Sequence, residues 1–310
     1  MKAVITGATG AVGMALISAL EKKNAEILVL GRPNSERNSR LKNRVGVTLL
    51  ECELSQLKNL EFPEGEKYDV FFHLGWCGTT GASRNDMYLQ NKNVEYTLDA
   101  VSLANRLGCE VFVGAGSQAE YGRFEGKLSS QTPTFPENGY GIAKLAAGRM
   151  SRIMCSQLGI KHIWARILSV YGEYDNENTM VMSTVNKIIK GVVPEFTPAE
   201  QIWDYMYSAD AAEALVAIAL RGKDGAVYCL GSGDPEPLRS YIEKIRNAVD
   251  PNAELGIGKM DYSPNQVMHL CADITELTRD TGFVPKYSFE EGIAKTVKWA
   301  KNTQLEVIMK

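Results

Sequence analysis

Short apolar runs recur along the first half of this chain, each separated from the next by a polar loop or a stretch with helical spacing. Lys2-Ala3-Val4-Ile5, Ile27-Leu28-Val29-Leu30, Val47-Thr48-Leu49-Leu50, Val70-Phe71-Phe72-His73-Leu74, Val111-Phe112-Val113-Gly114 and His162-Ile163-Trp164-Ala165-Arg166-Ile167 read as strands. Runs this continuous suit strands buried on both faces. Met14 to Leu20 has helical spacing, as does 91–107, where Val94, Leu98, Val101 and Leu103-Ala104 share a face; 145–158 is a further helix. The alternation predicts an α/β fold, a doubly wound parallel sheet with helices on both faces. Right-handed crossovers fit the helix lengths.

After about residue 172 the pattern changes. Residues 172–179 are polar, 181–190 form a helix, and 191–201 carry two prolines and little periodicity. A clear helix returns over 208–220, with Ala209-Asp210 at its start. Tyr228-Cys229-Leu230 reads as a strand before a Gly-Ser-Gly-Asp-Pro turn, and 241–249 and 289–301 read as helices. The expected organisation is a nucleotide-binding sheet domain over 1–172. A smaller lobe over 173–310 would mainly bind substrate, with elements of about 202–222 returning to the first domain. No internal repeat or low-complexity tract interrupts it.

The first strand runs into Thr6-Gly7-Ala8-Thr9-Gly10-Ala11-Val12-Gly13 and then a helix. Strand, glycine turn and helix is the context in which such a loop binds a dinucleotide, as in a Rossmann domain. Gly7 permits the tight turn, Gly10 lets the backbone approach a pyrophosphate, and Gly13 lets helix and strand pack closely. The helix N-terminus offers free N–H groups and a positive dipole end. The second strand continues into Gly31-Arg32-Pro33-Asn34 with no strand-end carboxylate to hold a ribose 2′-hydroxyl. Arg32 suits a 2′-phosphate, because a guanidinium grips phosphate oxygens in bidentate fashion. The cofactor expected is NADP, with NADPH preferred and NAD kept open.

Composition narrows the class. The chain has 310 residues, 45% hydrophobic and 23% charged, with a net charge of -3. That is ordinary for a globular protein and speaks against nucleic acid as a partner. No apolar stretch approaches the length of a membrane helix. A strand beginning at residue 2 predicts no cleaved leader. Cys52, Cys77, Cys109, Cys155, Cys229 and Cys271 are scattered without a CxxC pair, which predicts reduced thiols in a cytoplasm and no metal site.

Tyr140-Gly141-Ile142-Ala143-Lys144 places a phenol and an ammonium one helical turn apart. A free tyrosine has a pKa of about 10. A nearby ammonium favours the phenolate and lowers it, giving a group able to exchange a proton with a carbinol or carbonyl oxygen. Ser117 follows an apolar strand, at the end of the sheet where open α/β folds bind ligands, and its hydroxyl can donate to the same oxygen.

With these motifs in place, the chain resembles the extended short-chain dehydrogenase/reductase family, in particular its nucleotide-sugar epimerases, dehydratases and reductases. The resemblance covers nearly the whole chain. It rests on the glycine motif at 6–13, Ser117 four residues before Tyr121-Gly122, and the Tyr140/Lys144 pair. Asn93, the Arg166-to-Tyr171-Gly172 segment, Asp210 and the Gly282-Phe283-Val284-Pro285 ending extend it. The resemblance implies Tyr140 as acid/base, Ser117 as hydroxyl donor, and Lys144 as ribose ligand and pKa modulator. The implied cofactor set is Gly7, Thr9, Gly10, Ala11, Val12, Gly13, Arg32, Leu74, Gly75, Asn93, Lys144 and Ile167. Candidate substrate contacts are Trp76, Arg84, Gln118 and Trp203. Family members are often dimers, so a homodimer pairing through the helices at 91–107 and 140–158 is expected.

The family's 4,6-dehydratases carry Asp-Glu directly after the hydroxyl residue. Here those positions are Gln118 and Ala119, neither an acid nor a base. His162 reads as a core histidine, and His73 ends a strand near the expected nicotinamide. Two reactions need only Ser117, Tyr140 and Lys144: reduction of a 4-keto (6-deoxy) nucleotide sugar, and 4-epimerisation. Arg32 favours the reductase. An NADP(H)-binding redox-sensing regulator and a reductase of a non-sugar carbonyl remain open alternatives. The family's usual Arg before Asp204 is replaced by Trp203, so Arg84 and Arg239 become candidates to hold a diphosphate.

Overall fold

The computed structural model describes residues 1–308, so the last two residues of the lobe expected over 173–310 lie outside it. Seven strands form the main sheet. They are β1 (Lys2–Thr6), β2 (Glu26–Gly31), β3 (Val47–Glu51), β4 (Val70–His73), β5 (Val111–Ser117), β6 (Lys161–Ile167) and β7 (Val227–Leu230). Their order across the sheet is β7-β6-β5-β4-β1-β2-β3, and every pairing is parallel. The order reverses between β1 and β4, which makes their C-terminal ends the switch point where such sheets bind ligands.

Helices cover both faces. On one face α1 (Ala11–Glu21) packs with α5 (Ser208–Arg221) over Ile5, Val29, Phe72 and Ile163. On the other, α2 (Met87–Arg106) and α3 (Gly139–Leu158) cover Val4, Leu28, Phe71 and Phe112. The strands carry apolar side chains on both faces because both are dry.

The chain leaves the sheet after β6 and returns to it. Helix α5 lies against α1, and β7 pairs with β6. Helix α7 (Thr275–Thr281) adds Leu277 to the same core. The remaining lobe is built from α4 (Met180–Ile189), α6 (Leu238–Val249) and α8 (Phe289–Ile308) around Tyr171, Val185, Tyr241, Phe289 and Ile293. Short ladders join its extended segments among the described residues: Ser169–Tyr171 with Tyr205–Tyr207 over three residues, and Glu195–Phe196 with Gly256–Ile257 and Ile202–Trp203 with Glu236–Pro237 over two. Two buried carboxylates fasten lobe to sheet. Asp204 accepts from the backbone N–H of Ser232, Gly233 and Ala272. Asp210, at the start of α5, accepts from those of Lys286 and Tyr287.

Candidate functional site

The glycine loop fills the gap between β1 and α1. Gly7 has φ +71°, and a Cβ there would stand 2.6 Å from the backbone of Leu74 and Gly75. The loop thus rests directly on the end of β4. Thr6 Oγ1 joins the two strand ends, 2.9 Å from His73 Nδ1 and accepting from the Gly75 N–H at 3.1 Å. A Cβ at Gly13 would stand 2.5 Å from the Ala8 carbonyl oxygen, so this position seats the helix on the loop. Gly10 differs: a Cβ there would meet nothing within 4 Å. It caps α1 without a side-chain hydrogen bond, so the first N–H groups of the helix have no side-chain cap. A helix end of this kind fits a pyrophosphate. Thr9, Ala11 and Val12, in the loop and the first turn of the helix, are half-buried.

At the end of β2, Gly31 pairs in register with Glu51 on β3. This carboxylate holds the loop, accepting from the Asn34 N–H at 3.3 Å and Asn38 Nδ2 at 2.9 Å. Arg32 is exposed beside it. Arg40 reaches back to the glycine loop and donates to the Thr9 carbonyl at 2.5 Å.

The second cluster gathers at the start of α3. Asn138 caps this helix by accepting from the Gly141 N–H, which fixes where Tyr140 and Lys144 point. Tyr140 and Lys144 are both buried, and Ser117 ends β5 facing Tyr140. Burial pushes the Tyr140 phenol up. The Ser117 hydroxyl and the Arg84 guanidinium pull it back, and Glu120 opposes them. Burial also pushes the Lys144 ammonium down to about 7. Lys144 Nζ donates to the Ala115 carbonyl at 2.6 Å and lies 3.7 Å from the Trp76 ring centroid. It is 5.8 Å from the Tyr140 ring, whereas the Arg84 guanidinium carbon is 4.3 Å from it. The cation nearest the Tyr140 ring is therefore Arg84 and not, as the helical spacing suggests, Lys144.

A family model described as the NAD dependent epimerase/dehydratase family matches residues 3–231. The chain belongs to that family. An uncharacterized protein of Methanocaldococcus jannaschii is 25% identical over 96% of this chain and 95% of its own length. A dTDP-4-dehydro-6-deoxyglucose reductase of Escherichia coli is 26% identical over 62% of this chain and 61% of its own. Among solved structures, a UDP-N-acetylglucosamine 4-epimerase from Methanobrevibacter ruminantium superposes with TM-score 0.87 at 21% identity. That match covers 97% of this chain and 98% of the other.

Within this family fold, the remaining expected residues divide. Trp76 and Arg84 stand against Tyr140, the Trp76 ring edge-on at 6.1 Å, and Gln118 directly follows Ser117. Leu74, Gly75 and Ile167 lie at strand ends facing the glycine loop and Ser117. Asn93 is buried, and its amide spans both the N–H and the carbonyl of Cys77, so it holds the loop after β4. Trp203 sits in a short ladder and donates from Nε1 to Ser169 Oγ at 2.8 Å. Arg239 is exposed and paired with Glu243. His73 is buried between Thr6 and Thr97, and burial pushes it down to about 3. His162 is also a core residue, 2.9 Å from Ser151 Oγ. Among the described residues no group of three or more His, Cys, Asp or Glu side chains is arranged to hold a metal ion, and no helix is long and apolar enough to cross a membrane.

Sequence reasoning missed Glu120. Its carboxylate accepts from the Ser117 N–H and Trp164 Nε1 through one oxygen and from Arg166 Nε, at 2.7 Å, through the other. A carboxylate in an apolar turn and an Arg in an apolar strand were the available signal, because two isolated opposite charges in buried segments must meet. Thr6, Arg40 and Gln90 carried no such signal.

Proposed function

We propose that this enzyme is an NADPH-preferring reductase of a 4-keto (6-deoxy) nucleotide sugar. The observation that carries the reading is the charge around the adenosine end of the cradle. β2 ends in Gly31-Arg32, the nearby Glu51 is engaged by the loop, and Arg40 stands on the Thr9 carbonyl. Two guanidiniums and no free strand-end carboxylate suit a 2′-phosphate. The open face of Gly10 and the uncapped end of α1 fit the pyrophosphate. When bound there, the nicotinamide cofactor supplies the hydride.

The chain's own residues supply the rest. Tyr140 gives its phenolic proton to the carbonyl oxygen of the substrate as that oxygen gains charge. Ser117 holds the phenol and shares the oxygen. The Trp76 indole walls the pocket and faces the Lys144 ammonium. Lys144 is placed to hold the nicotinamide ribose, while Arg84, Gln118 and Trp203 are the proposed substrate contacts. Gln118 and Ala119 put no acid or base in the two positions after Ser117, the Glu120 carboxylate is engaged by Trp164 and Arg166, and His73 is locked in the core.

The same single acid–base set serves 4-epimerisation. The near full-length superposition on a 4-epimerase makes that the second reading. Supplying a 4-keto-6-deoxy nucleotide sugar with NADPH separates them. A reductase consumes one NADPH for each new hydroxysugar. An enzyme purified with tightly held cofactor that interconverts two 4-epimers, with no net change in nicotinamide absorbance, overturns the reductase. In the same assay Arg32→Ala is expected to weaken NADPH about tenfold and leave NADH unchanged, as loss of one charge-assisted contact does. We also infer a homodimer. Ile142, Met150 and Ile153 expose apolar side chains on one face of α3, and Tyr88 at the start of α2 is 89% exposed. A light-scattering mass equal to the 34.1 kDa chain rules that out.

A further inference from the structure

Three charged groups face Tyr140, and they are not equivalent. Glu120 lies behind Ser117, paired with Arg166 and fully buried. Lys144 belongs to the same helix as the tyrosine but turns toward Ala115 and Trp76. Arg84 comes from a separate segment, the short turn Gly81–Asn85 between β4 and α2, and lays its guanidinium on the ring. Its one hydrogen bond among the described residues runs from Nη1 to the Thr79 carbonyl at 3.0 Å, a neutral acceptor that leaves its charge unpaired.

The turn that carries Arg84 is fixed at several points. Asn85 Oδ1 accepts from the Gly139 N–H at 3.0 Å, which ties the turn to the first residue of α3. Gln90 Nε2 donates to the carbonyls of Gly78 and Ser83, at 2.8 and 2.9 Å, and its Oε1 accepts from Trp76 Nε1. Asp86 caps α2 directly after the turn. A Cβ on Gly139 would stand 3.0 Å from the Arg84 carbonyl oxygen, so this close approach depends on glycine there. One buried amide, Gln90, and two exposed side chains, Asn85 and Asp86, thus hold the turn that sets this half-buried cation at the phenol.

We infer that Arg84, rather than Lys144, is the cation that sets the acidity of Tyr140. The inference rests on the reading of Tyr140 as the acid–base residue. A guanidinium over a neutral phenol ring gains a cation–π attraction. Once the phenol ionises, the same charge gains the stronger attraction to a phenolate. Arg84 therefore favours the ionised form. Arginine also keeps its charge through the whole working range of an enzyme, whereas a lysine in a dry pocket loses its own. Lys144 is such a lysine, pushed down to about 7 by burial. Its place near Trp76 leaves it to position ligand atoms, while the fixed cation acts on the proton. Arg84 acts through Tyr140 and is a positioning residue in that sense.

The test reads the phenol itself and needs no substrate. Tyrosine labelled at Cζ is incorporated, and Tyr140→Phe identifies its resonance among the 13 tyrosines. The midpoint of that resonance is followed with pH in the full-length protein. Loss of an opposite charge at this distance from a partly solvated site moves a midpoint by about one unit. Arg84→Gln is expected to raise the midpoint by that amount, which means about tenfold less phenolate at any pH below it. Arg84→Lys is expected to restore most of the parent value, and Lys144→Met to move it less than Arg84→Gln does. An unchanged midpoint in Arg84→Gln overturns the inference. So does a larger shift in Lys144→Met, which remains decisive if the arginine variants fail to fold. Absence of turnover on any nucleotide sugar, with the titration behaving as expected, instead rejects the proposed reaction and leaves the role of Arg84 standing.

Discussion

Gly7, Gly10 and Gly13 do their work within one short loop, through backbone alone. Tyr140 draws its surroundings from three other segments, which carry Trp76, Arg84 and Ser117, and from its own helix, which carries Lys144. The loop is a problem of space: two positions where a Cβ would strike backbone and one where it would strike nothing. The tyrosine pocket is a problem of charge and burial, in which the fold decides which cation arrives. The first kind of site is written in local spacing. The second depends on contacts that spacing does not encode, as the competition between Lys144 and Arg84 illustrates.

Variants that act on the pocket should therefore change rate, and variants in the loop should change binding or stability. The largest expected effect is that of Tyr140→Phe. It removes the proton donor but leaves the ring packing on Trp76 and the glycine loop untouched. Turnover should fall about 10²–10⁴-fold. Cofactor affinity, measured by fluorescence titration, should stay within about twofold of the parent, since the phenol acts in the transition state. A variant that keeps near-parent turnover, or loses cofactor binding in parallel, breaks the contrast between the two regions.

Next in size is a contrast inside the loop. Gly13→Ala places a Cβ against the Ala8 carbonyl, and the strain should cost about 1–3 kcal/mol of stability. Gly10→Ala places its methyl in open space and should leave the melting temperature unchanged. That methyl projects where the phosphates are expected, so cofactor Kd should weaken about tenfold or more. Equal effects of the two substitutions on stability would mean that Gly10 is not the open face of a cradle.

The same division explains what was legible beforehand. All seven sheet strands were visible as apolar runs, because strands buried on both faces, as all but the half-exposed edge strand β3 are, leave little freedom of composition. The edges were less so. β5 runs on to Ser117 because Gly114 and Gly116 pack against the Trp164 side chain, where any Cβ would clash, and glycines alone signal a turn more often than a strand. Helix α2 begins at Met87, four residues before its apolar pattern, because Asp86 caps it. In the lobe, two-residue ladders such as that of Ile202–Trp203 are too short to carry a period. The clustering of Ser117, Tyr140 and Lys144 was legible from spacing, whereas the bonds of Asn93 to the Cys77 backbone were not. Arg84 lies in a polar loop where one arginine looks like any other until the fold sets it on the ring.

The smallest expected effect concerns the fold rather than the rate, and it comes from Lys144. Its folded pKa of about 7 lies below the value of an unfolded lysine, about 10.4. Between those limits the unfolded chain holds a proton that the folded chain lacks, so stability should rise with pH across that window. Below it, the full cost of burying the ammonium is present. Lys144→Met removes that cost. It also removes the hydrogen bond to Ala115 and the contact with Trp76, each worth about 1 kcal/mol. Desolvating an ammonium costs several kcal/mol, so about 1 kcal/mol of net gain should remain at neutral pH. That corresponds to a melting temperature higher by about 2 °C. The gain should shrink as pH rises toward 10 and reverse once both states of the parent lysine are neutral. Gly10→Ala, which touches no titratable group, should leave the pH dependence of stability as it is. If Lys144→Met melts lower than the parent at neutral pH, the ammonium is not held at a cost in this pocket, and the division of labour between the lysine and the arginine must be redrawn.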